Sequence, residues 1–378
     1  MRSDTLTIYT VARGDSLYGI ARKFGVPVRD ITNLNGLSNV ERLMVGQSLV
    51  IPAEVKSGIL VNGYAYPTIS DITLTLILPS LTFLSIFSYQ VTSSGELISL
   101  DDSRVIRVAK DNNTLPMLVM TNIGSSGRFD SDLAHSVLAN EKVQERLISN
   151  LITMLKNKGY AGVDIDFEYV YPMDKDLYNA FLEKVVTRLH EEEFIVTTAV
   201  APKVRENQTG TLYEAHDYVT HGRLADHVII MTYEWGYTYG PPMAVAPINQ
   251  VERVLQYAVT AIPSKKILMG IPNYGYDWTL PYEPGRPARS ISNTAALALA
   301  VEKGVEIQFD PVAKAPYFYY KDDNGSLHVV WFEDARSIAA KLDLVTKYNL
   351  GGVSFWTVMN YFPQAFAVLN SKFQVEKA

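Results

Sequence analysis

From Ile59 onward, short apolar, β-branched runs alternate with amphipathic stretches. The runs are ILVNGYAY, TFLSIF, MLVMTN, AGVDIDFE, FIVTTAVAP, HVIIMTYEW, KILMGIPNYG and GGVSFWT. Segments with helical spacing separate them, among them NEKVQERLISNLITMLKNKG, KDLYNAFLEKVVTRLHEEE and ARSIAAKLDLVTKYN. Near-continuous apolar strands interleaved with helices predict a parallel sheet covered by helices. Eight such units between residues 59 and 378 favour an α/β fold of the closed (β/α)8 type, a TIM barrel, over an open doubly wound sheet. No G-x-G-x-x-G follows the first run, which weakens a dinucleotide-binding alternative.

The connection from KILMGIPNYG to GGVSFWT is far too long for a plain loop. It holds a helix candidate, NTAALALAVEKG, and a hairpin candidate, YFYYKDDNGSLHVVWF, turned at Asn324–Gly325. The expectation is a small α+β insertion after strand seven, at about residues 278–332, forming one wall of a cleft.

The first fifty residues follow another pattern. YTVARGDSLYGIARKFGVPVRDITNLNG predicts a strand at Tyr9–Val11, a turn at Gly14–Asp15 and two short helices. Asp15 or Ser16 suits the N-cap, Leu17, Ile20, Ala21 and Phe24 keep helical spacing, and Asn35–Gly36 ends the second helix. LMVGQSLVIP adds a return strand stopped by Pro52. The predicted organisation is therefore a β-α-α-β module at 5–53, a linker at 54–58 and the barrel at 59–378.

Composition narrows the function. The chain has 378 residues, 47% hydrophobic and 20% charged, the profile of an ordinary globular protein. A net charge of −6 without a basic block argues against nucleic acid or an anionic membrane as partner. The absence of Cys excludes disulfides and thiolate–zinc sites. The six His are scattered, and His190-Glu191-Glu192-Glu193 reads as the charged end of a helix, so no metal site is expected. No apolar run approaches the roughly 20 residues of a membrane span, and MRSDTLTIYT lacks the features of a secretory signal. The 23 Tyr, 14 Phe and 4 Trp often fall beside strand ends, which fits both core filling and stacking on pyranose rings.

The fourth run carries the densest chemistry. In GVDIDFE, Asp164, Asp166 and Glu168 alternate with Val163, Ile165 and Phe167, so a strand places the acids on one face and the apolar residues on the other. In a barrel the acidic face is the interior. Neighbouring acids lie roughly 6.5–7 Å apart along such a strand, and like charges that close push at least one pKa upward. A carboxylic acid still protonated near neutral pH is what general acid catalysis needs. Glu168, the last of the three, is expected at the C-terminal mouth, where barrels keep their chemistry.

Two resemblances follow from these residues. YTVxxGDSLxxIA together with GQxLxIP resembles the LysM domain, which implies binding of glycans containing N-acetylglucosamine, with Gly14, Asp15, Ser16, Leu17 and Asn35 as the expected contacts. AGVDIDFE resembles the DGxDxDxE signature of glycoside hydrolase family 18. Met231-Thr232-Tyr233-Glu234 is similar to that family's M-x-Y-D, and Trp356 to its subsite tryptophan. The combination, with NGYAYP and WFEDA, resembles the LysM-containing spore-germination and cortex-lytic N-acetylglucosaminidases of spore-forming bacteria. Two departures stand out: Ala161 replaces the first Asp of the signature, and Glu234 replaces the Asp of M-x-Y-D.

The resemblance implies a retaining, substrate-assisted mechanism without metal or cofactor. Glu168 is the expected acid, Asp166 the residue that orients the substrate acetamide, Asp164 its support and Tyr233 a donor to the acetamide oxygen. Trp356 is expected to stack under the sugar, with Glu234, Asn122, Asn273, Tyr274, Tyr64 and Asn360 lining the cleft. The implied substrate is peptidoglycan, at a spore cortex, spore coat or cell wall, and the implied state a monomer. Chitin hydrolysis and non-catalytic glycan binding are the alternatives, and the presence of Glu168 argues against the latter.

Overall fold

The computed structural model describes residues 7–37, 43–51 and 57–377. Its first unit is β1 (Thr7–Thr10), α1 (Leu17–Phe24), α2 (Val28–Asn35) and β2 (Ser48–Ile51), with β1 and β2 antiparallel. Ser16, not Asp15, caps α1, accepting from the Gly19 N–H at 3.2 Å. Asp15 instead accepts from the Tyr9 hydroxyl at 2.7 Å and the Ala12 N–H at 2.8 Å, which ties the turn to β1. Leu17, Ile20, Ala21 and Ile31 form the small core with Leu49 and Ile51. The expected strand stop at Pro52 and linker residues 54–56 lie outside the described residues, whereas Ser57 and Gly58 already belong to the next strand.

That strand, β3 (Ser57–Ala65), opens the barrel. It is followed by α3 (Asp71–Ile77), β4 (Phe83–Gln90), α4 (Ser103–Asp111), β5 (Leu115–Thr121), α5 (Ser131–Leu138), α6 (Glu141–Lys158) and β6 (Gly162–Asp166). Then come α7 (Lys175–His190), β7 (Ile195–Val200), α8 (Tyr218–Leu224), β8 (His227–Ile230), α9 (Ile248–Ala261) and β9 (Ile267–Pro272). The insertion is β10 (Tyr274–Leu280), β11 (Arg289–Ser292), α10 (Asn293–Lys303), β12 (Gln308–Asp310), β13 (Ala315–Lys321) and β14 (Leu327–Trp331). The chain returns through α11 (Ala335–Lys347) to β15 (Gly352–Trp356), α12 (Pro363–Lys372) and β16 (Phe373–Val375).

All eight expected strands form, pairing in parallel from β3 through β9, and β15 closes the ring by pairing with both β9 and β3. The period-two pattern is visible in β6: Val163 and Ile165 join the large core between strands and helices, while Asp164 and Asp166 face inward. Phe167 continues the outer face and stacks on Tyr178 and Phe181 of α7, at ring separations of 5.9 and 6.0 Å. Local signals set the helix ends. Asn140 caps α6 through the Lys142 and Val143 N–H groups, and Gly159, at φ 76°, ends it in the left-handed conformation that a residue without Cβ adopts freely.

The insertion begins earlier than expected, because the run KILMGIPNYG breaks at Asn273 into β9 and β10. Its five strands are all antiparallel, in the order β11-β10-β14-β13-β12, with α10 packed against them. The β13–β14 hairpin turns through Gly325, and Asp322 accepts from the Asn324 and Ser326 N–H groups at 3.0 and 2.8 Å.

The N-terminal unit sits against the barrel through buried polar contacts. Gln364 at the start of α12 donates to the Ser48 carbonyl at 2.5 Å and accepts from the Ser48 hydroxyl at 3.2 Å and the Ala335 N–H at 3.0 Å. Gly36 meets Pro363 so closely that a Cβ would lie 2.3 Å from the proline ring. Removing the Gln364 amide leaves buried partners unsatisfied, at a cost of about 1–3 kcal/mol. Gln364→Ala should therefore lower the urea midpoint for release of the N-terminal unit; an unchanged midpoint would show that Gln364 does not hold the seat.

Candidate active site

The C-terminal ends of the barrel strands and β10 of the insertion enclose a cleft of about 890 Å³. Asp166, Glu168, Tyr233, Glu234, Asn273, Tyr274, Tyr64, Trp356 and Asn360 all line it, so most of the expected site residues meet in one place. Asp164 lies behind them, fully buried. It accepts from the Tyr64 hydroxyl at 2.5 Å and from the Thr197 hydroxyl at 2.6 Å. Burial outweighs these two bonds and lifts its pKa to about 6.

Asp166 is more constrained. Burial first, then the charges of Glu168 and Asp164, push its pKa well above the usual carboxylate range. Its Oδ1 is buried and has no hydrogen-bond partner among the described residues, which is rare for a buried acceptor and calls for a ligand or water. Glu168 lies two residues past the end of β6, half-exposed to the cleft, and burial raises its pKa to about 7. The pair thus retains a proton near neutrality.

Side chains hold the Glu168 backbone where the sheet no longer does. Its N–H donates to Asn122 Oδ1 and its carbonyl accepts from Asn122 Nδ2, both at 2.9 Å. The preceding carbonyl, of Phe167, accepts from His216 Nε2 at 2.9 Å. The Ala201 N–H donates to His216 Nδ1 at 2.8 Å, so the ring proton is on Nε2. Asn122 is therefore not a cleft-lining residue as expected: it is completely buried and engaged with backbone.

Tyr233 follows β8, and burial together with Asp166, Glu168 and Glu234 raises its hydroxyl pKa. Glu234 has a φ of 68°, a left-handed backbone costing a non-glycine residue about 1 kcal/mol or more. Its carboxylate is gripped from the insertion by the Tyr274 hydroxyl and, at 3.1 Å, the Tyr276 hydroxyl. Burial raises its pKa while these two bonds lower it. Trp356 ends β15 and packs edge-on against Tyr64 and Phe87, with ring centroids 5.2 and 4.9 Å away. The Phe87–Ser88 and Trp356–Thr357 peptides are cis. Asn273 donates to the carbonyls of Thr357 and Asn360, both at 2.8 Å, which anchors the loop after Trp356.

The departure at Ala161 lies at the opposite end of the strand. Its N–H donates to the Pro116 carbonyl and its carbonyl accepts from the Ile195 N–H, ordinary ladder bonds away from the cleft. In the N-terminal unit, Gly14 and Ser16 are exposed and Asp15 half-buried, but Leu17 and Asn35 are buried. Asn35 exchanges bonds with the Val50 backbone at 2.8 and 2.9 Å, so the expected glycan contact is a strut between α2 and β2.

Sequence reasoning missed Phe87, Tyr276 and His216. Phe87 closes the second apolar run much as Tyr64 nears the end of the first, and Tyr274, Tyr276 and Trp278 share one face of β10, so both were open to a period-two reading. His216 lies in an irregular segment with no such signal.

Comparison with known proteins agrees with this geometry. Residues 63–360 match the model for glycosyl hydrolases family 18, and residues 9–52 match the LysM domain. The cortical fragment-lytic enzyme of Bacillus subtilis (strain 168) is 39% identical over 428 aligned positions, covering 98% of this chain and 99% of that enzyme. The crystal structure of the Bacillus megaterium QM B1551 spore cortex-lytic enzyme SleL superposes with a TM-score of 0.83 at 39% identity, covering 98% of this chain and 87% of that one. A chitinase from Chromobacterium violaceum ATCC 12472 superposes with a TM-score of 0.76 at 27% identity, covering 83% of this chain and 98% of that one. An acid-lined cleft at the mouth of a closed barrel, matched over most of the chain, makes this protein a glycoside hydrolase belonging to glycosyl hydrolases family 18, with a LysM domain at its N-terminal side.

Proposed function

We propose that this chain hydrolyses N-acetylglucosaminyl bonds in spore-cortex peptidoglycan fragments, retaining configuration at the anomeric carbon. The observation that carries the reading is the Asp166–Glu168 pair at the foot of the cleft: Asp166 Oδ1 is buried without a partner among the described residues, and burial raises the Glu168 pKa to about 7. The names of the Bacillus relatives and the LysM domain support cortex peptidoglycan as substrate and a spore or cell wall as the place of action.

The steps follow from the residues. Glu168 gives its proton to the glycosidic oxygen as the C–O bond breaks. The substrate's own 2-acetamido oxygen attacks the anomeric carbon, forming an oxazolinium ion in place of a glycosyl-enzyme ester. Asp166 Oδ1 accepts from the acetamide N–H and stabilises the charge that develops there. The Tyr233 hydroxyl holds the acetamide oxygen in line, while Trp356, wedged by Tyr64 and Phe87, floors the ring. Water then opens the oxazolinium with Glu168 as base, so two displacements restore the starting configuration. Asp164, held by Tyr64 and Thr197, sets a negative charge behind Asp166 and so limits the ionisation of Asp166.

Glu168→Gln should lower release of reducing ends from cortex fragments by about 10²–10⁴-fold, with the folded structure retained by circular dichroism. Undiminished release would end the assignment of Glu168 as the acid.

The pH dependence has a definite sign. Glu168 must be protonated to act, so kcat/KM should fall about tenfold per pH unit above about 7. Its folded pKa is raised from 4.5, so the stability it confers is fully present below about 4.5 and is lost as pH rises through about 7. Above pH 7, Glu168→Gln should therefore unfold at a higher temperature than the parent. Activity constant to pH 9, or a less stable variant, would contradict the burial argument.

A further inference from the structure

β6 makes its last pairing at Asp166, opposite Thr121 of β5, so Glu168 stands beyond the sheet. The peptide unit in front of it, between Phe167 and Glu168, is nevertheless held at both ends. Its N–H donates to Asn122 Oδ1 and its carbonyl accepts from His216 Nε2, both at 2.9 Å. A planar unit fixed at its N–H and its C=O cannot swing, so the direction in which Glu168 leaves the backbone is fixed with it. His216 is buried and belongs to the connection between β7 and α8, which also gives Pro202, Leu212 and Tyr213 to the cleft wall. Several bonds lace that connection to the end of β7. The Ala201 N–H donates to His216 Nδ1 at 2.8 Å, and the Tyr218 hydroxyl donates to the Ala201 carbonyl at 2.6 Å and accepts from the Lys203 N–H at 2.9 Å. The buried Lys203 ammonium donates to the His216 carbonyl at 3.1 Å.

The surroundings keep the imidazole neutral. The rings of Tyr178 and His221 pack on it at 6.3 and 6.0 Å, and Asp217, next in the chain, accepts from Asn179 and Thr220 at 3.1 and 3.0 Å. Burial, with a smaller contribution from the Lys203 charge, lowers the His216 pKa to about 4, so near neutrality the ring carries one proton, on Nε2, and makes both bonds. We propose that His216, with Lys203 behind it, is a positioning residue for the general acid: it sets the Phe167–Glu168 peptide so that the Glu168 carboxyl stands over Asp166. This rests on the hydrolase reading above and adds to it a side chain that does not touch the substrate.

Two amides divide the two jobs of the imidazole. In His216→Asn the shorter side chain reaches as far as Nδ1 and keeps an acceptor for the Ala201 N–H, but loses the donor to Phe167. In His216→Gln the longer one reaches as far as Nε2 and keeps that donor. On cortex fragments, kcat should fall about tenfold or more in His216→Asn with KM within about twofold, and stay within about threefold of the parent in His216→Gln. Once the peptide is released Glu168 meets more water, so its burial penalty shrinks. The alkaline limb of kcat/KM should therefore move to lower pH in His216→Asn and hold in His216→Gln. Equal kcat in the two variants, or an unmoved limb in His216→Asn, overturns the proposal. If His216→Asn does not fold, Lys203→Met carries the test, because it frees the His216 carbonyl and leaves the ring in place. It should lower kcat about threefold and move the limb the same way, and an unchanged kcat and limb overturns the proposal. Carbon-13 titration of Glu168 in the same variants reads the displacement without substrate. A lower Glu168 pKa in His216→Asn than in His216→Gln supports the positioning role, and equal values overturn it. A parent protein that does not turn over cortex fragments removes the hydrolase reading and leaves this titration to decide.

Discussion

A strand inside a closed barrel delivers every second residue to the interior, and in β6 that rule buries Asp164 and Asp166 and aims Glu168 at the mouth, with no counter-cation among the described residues that line the cleft. Buried carboxylates in such a place are paired, hydrogen-bonded or neutral. The structure uses two of these answers in sequence. Asp164, the deepest, receives hydroxyls from Tyr64 and Thr197; nearer the cleft, Asp166 and Glu168 hold a proton instead. An arginine in the barrel would have stabilised the column and removed its chemistry, because an ion-paired glutamate does not carry a proton at neutral pH.

The supporting architecture follows from keeping that column dry and fixed. Outside it, Phe167 and its stack on α7 anchor the end of β6, and Asn122 and His216 take over the backbone where the ladder stops. The insertion supplies the far wall: β10 carries Tyr274 and Tyr276 to Glu234, one methylene longer than the aspartate of the family pattern and set on a left-handed backbone. The LysM unit is seated on α12 through buried bonds, so it and the hydrolase barrel are joined by side-chain contacts as well as along the chain.

Much of this was legible in the chain because it depends on periodicity. The eight strands, the inward acids of β6 and the insertion follow from runs of two-residue and 3.6-residue repeat, whereas Tyr233 and Trp356 were singled out by their resemblance to the family's motifs. What failed depends on rotamers and partners, which spacing does not encode. Asn122 occupies a strand end but turns to backbone instead of the cleft, and Asn35 and Leu17, expected as glycan contacts of the LysM motif, are buried in its core. Asn273 interrupts what reads as one continuous strand, and His216 acts from a segment with no pattern at all.

The central claim is electrostatic: the acidic column shares protons because no cation among the described residues lining the cleft neutralises it. Carbon-13 NMR titration of the Asp and Glu carboxyls, assigned with Asp166→Asn and Glu168→Gln, measures that state without substrate. The account predicts a coupled titration with an apparent pKa near 7 for Glu168 and an Asp166 step far above the ordinary carboxylate range. Ordinary titration of both groups near pH 4 would contradict it.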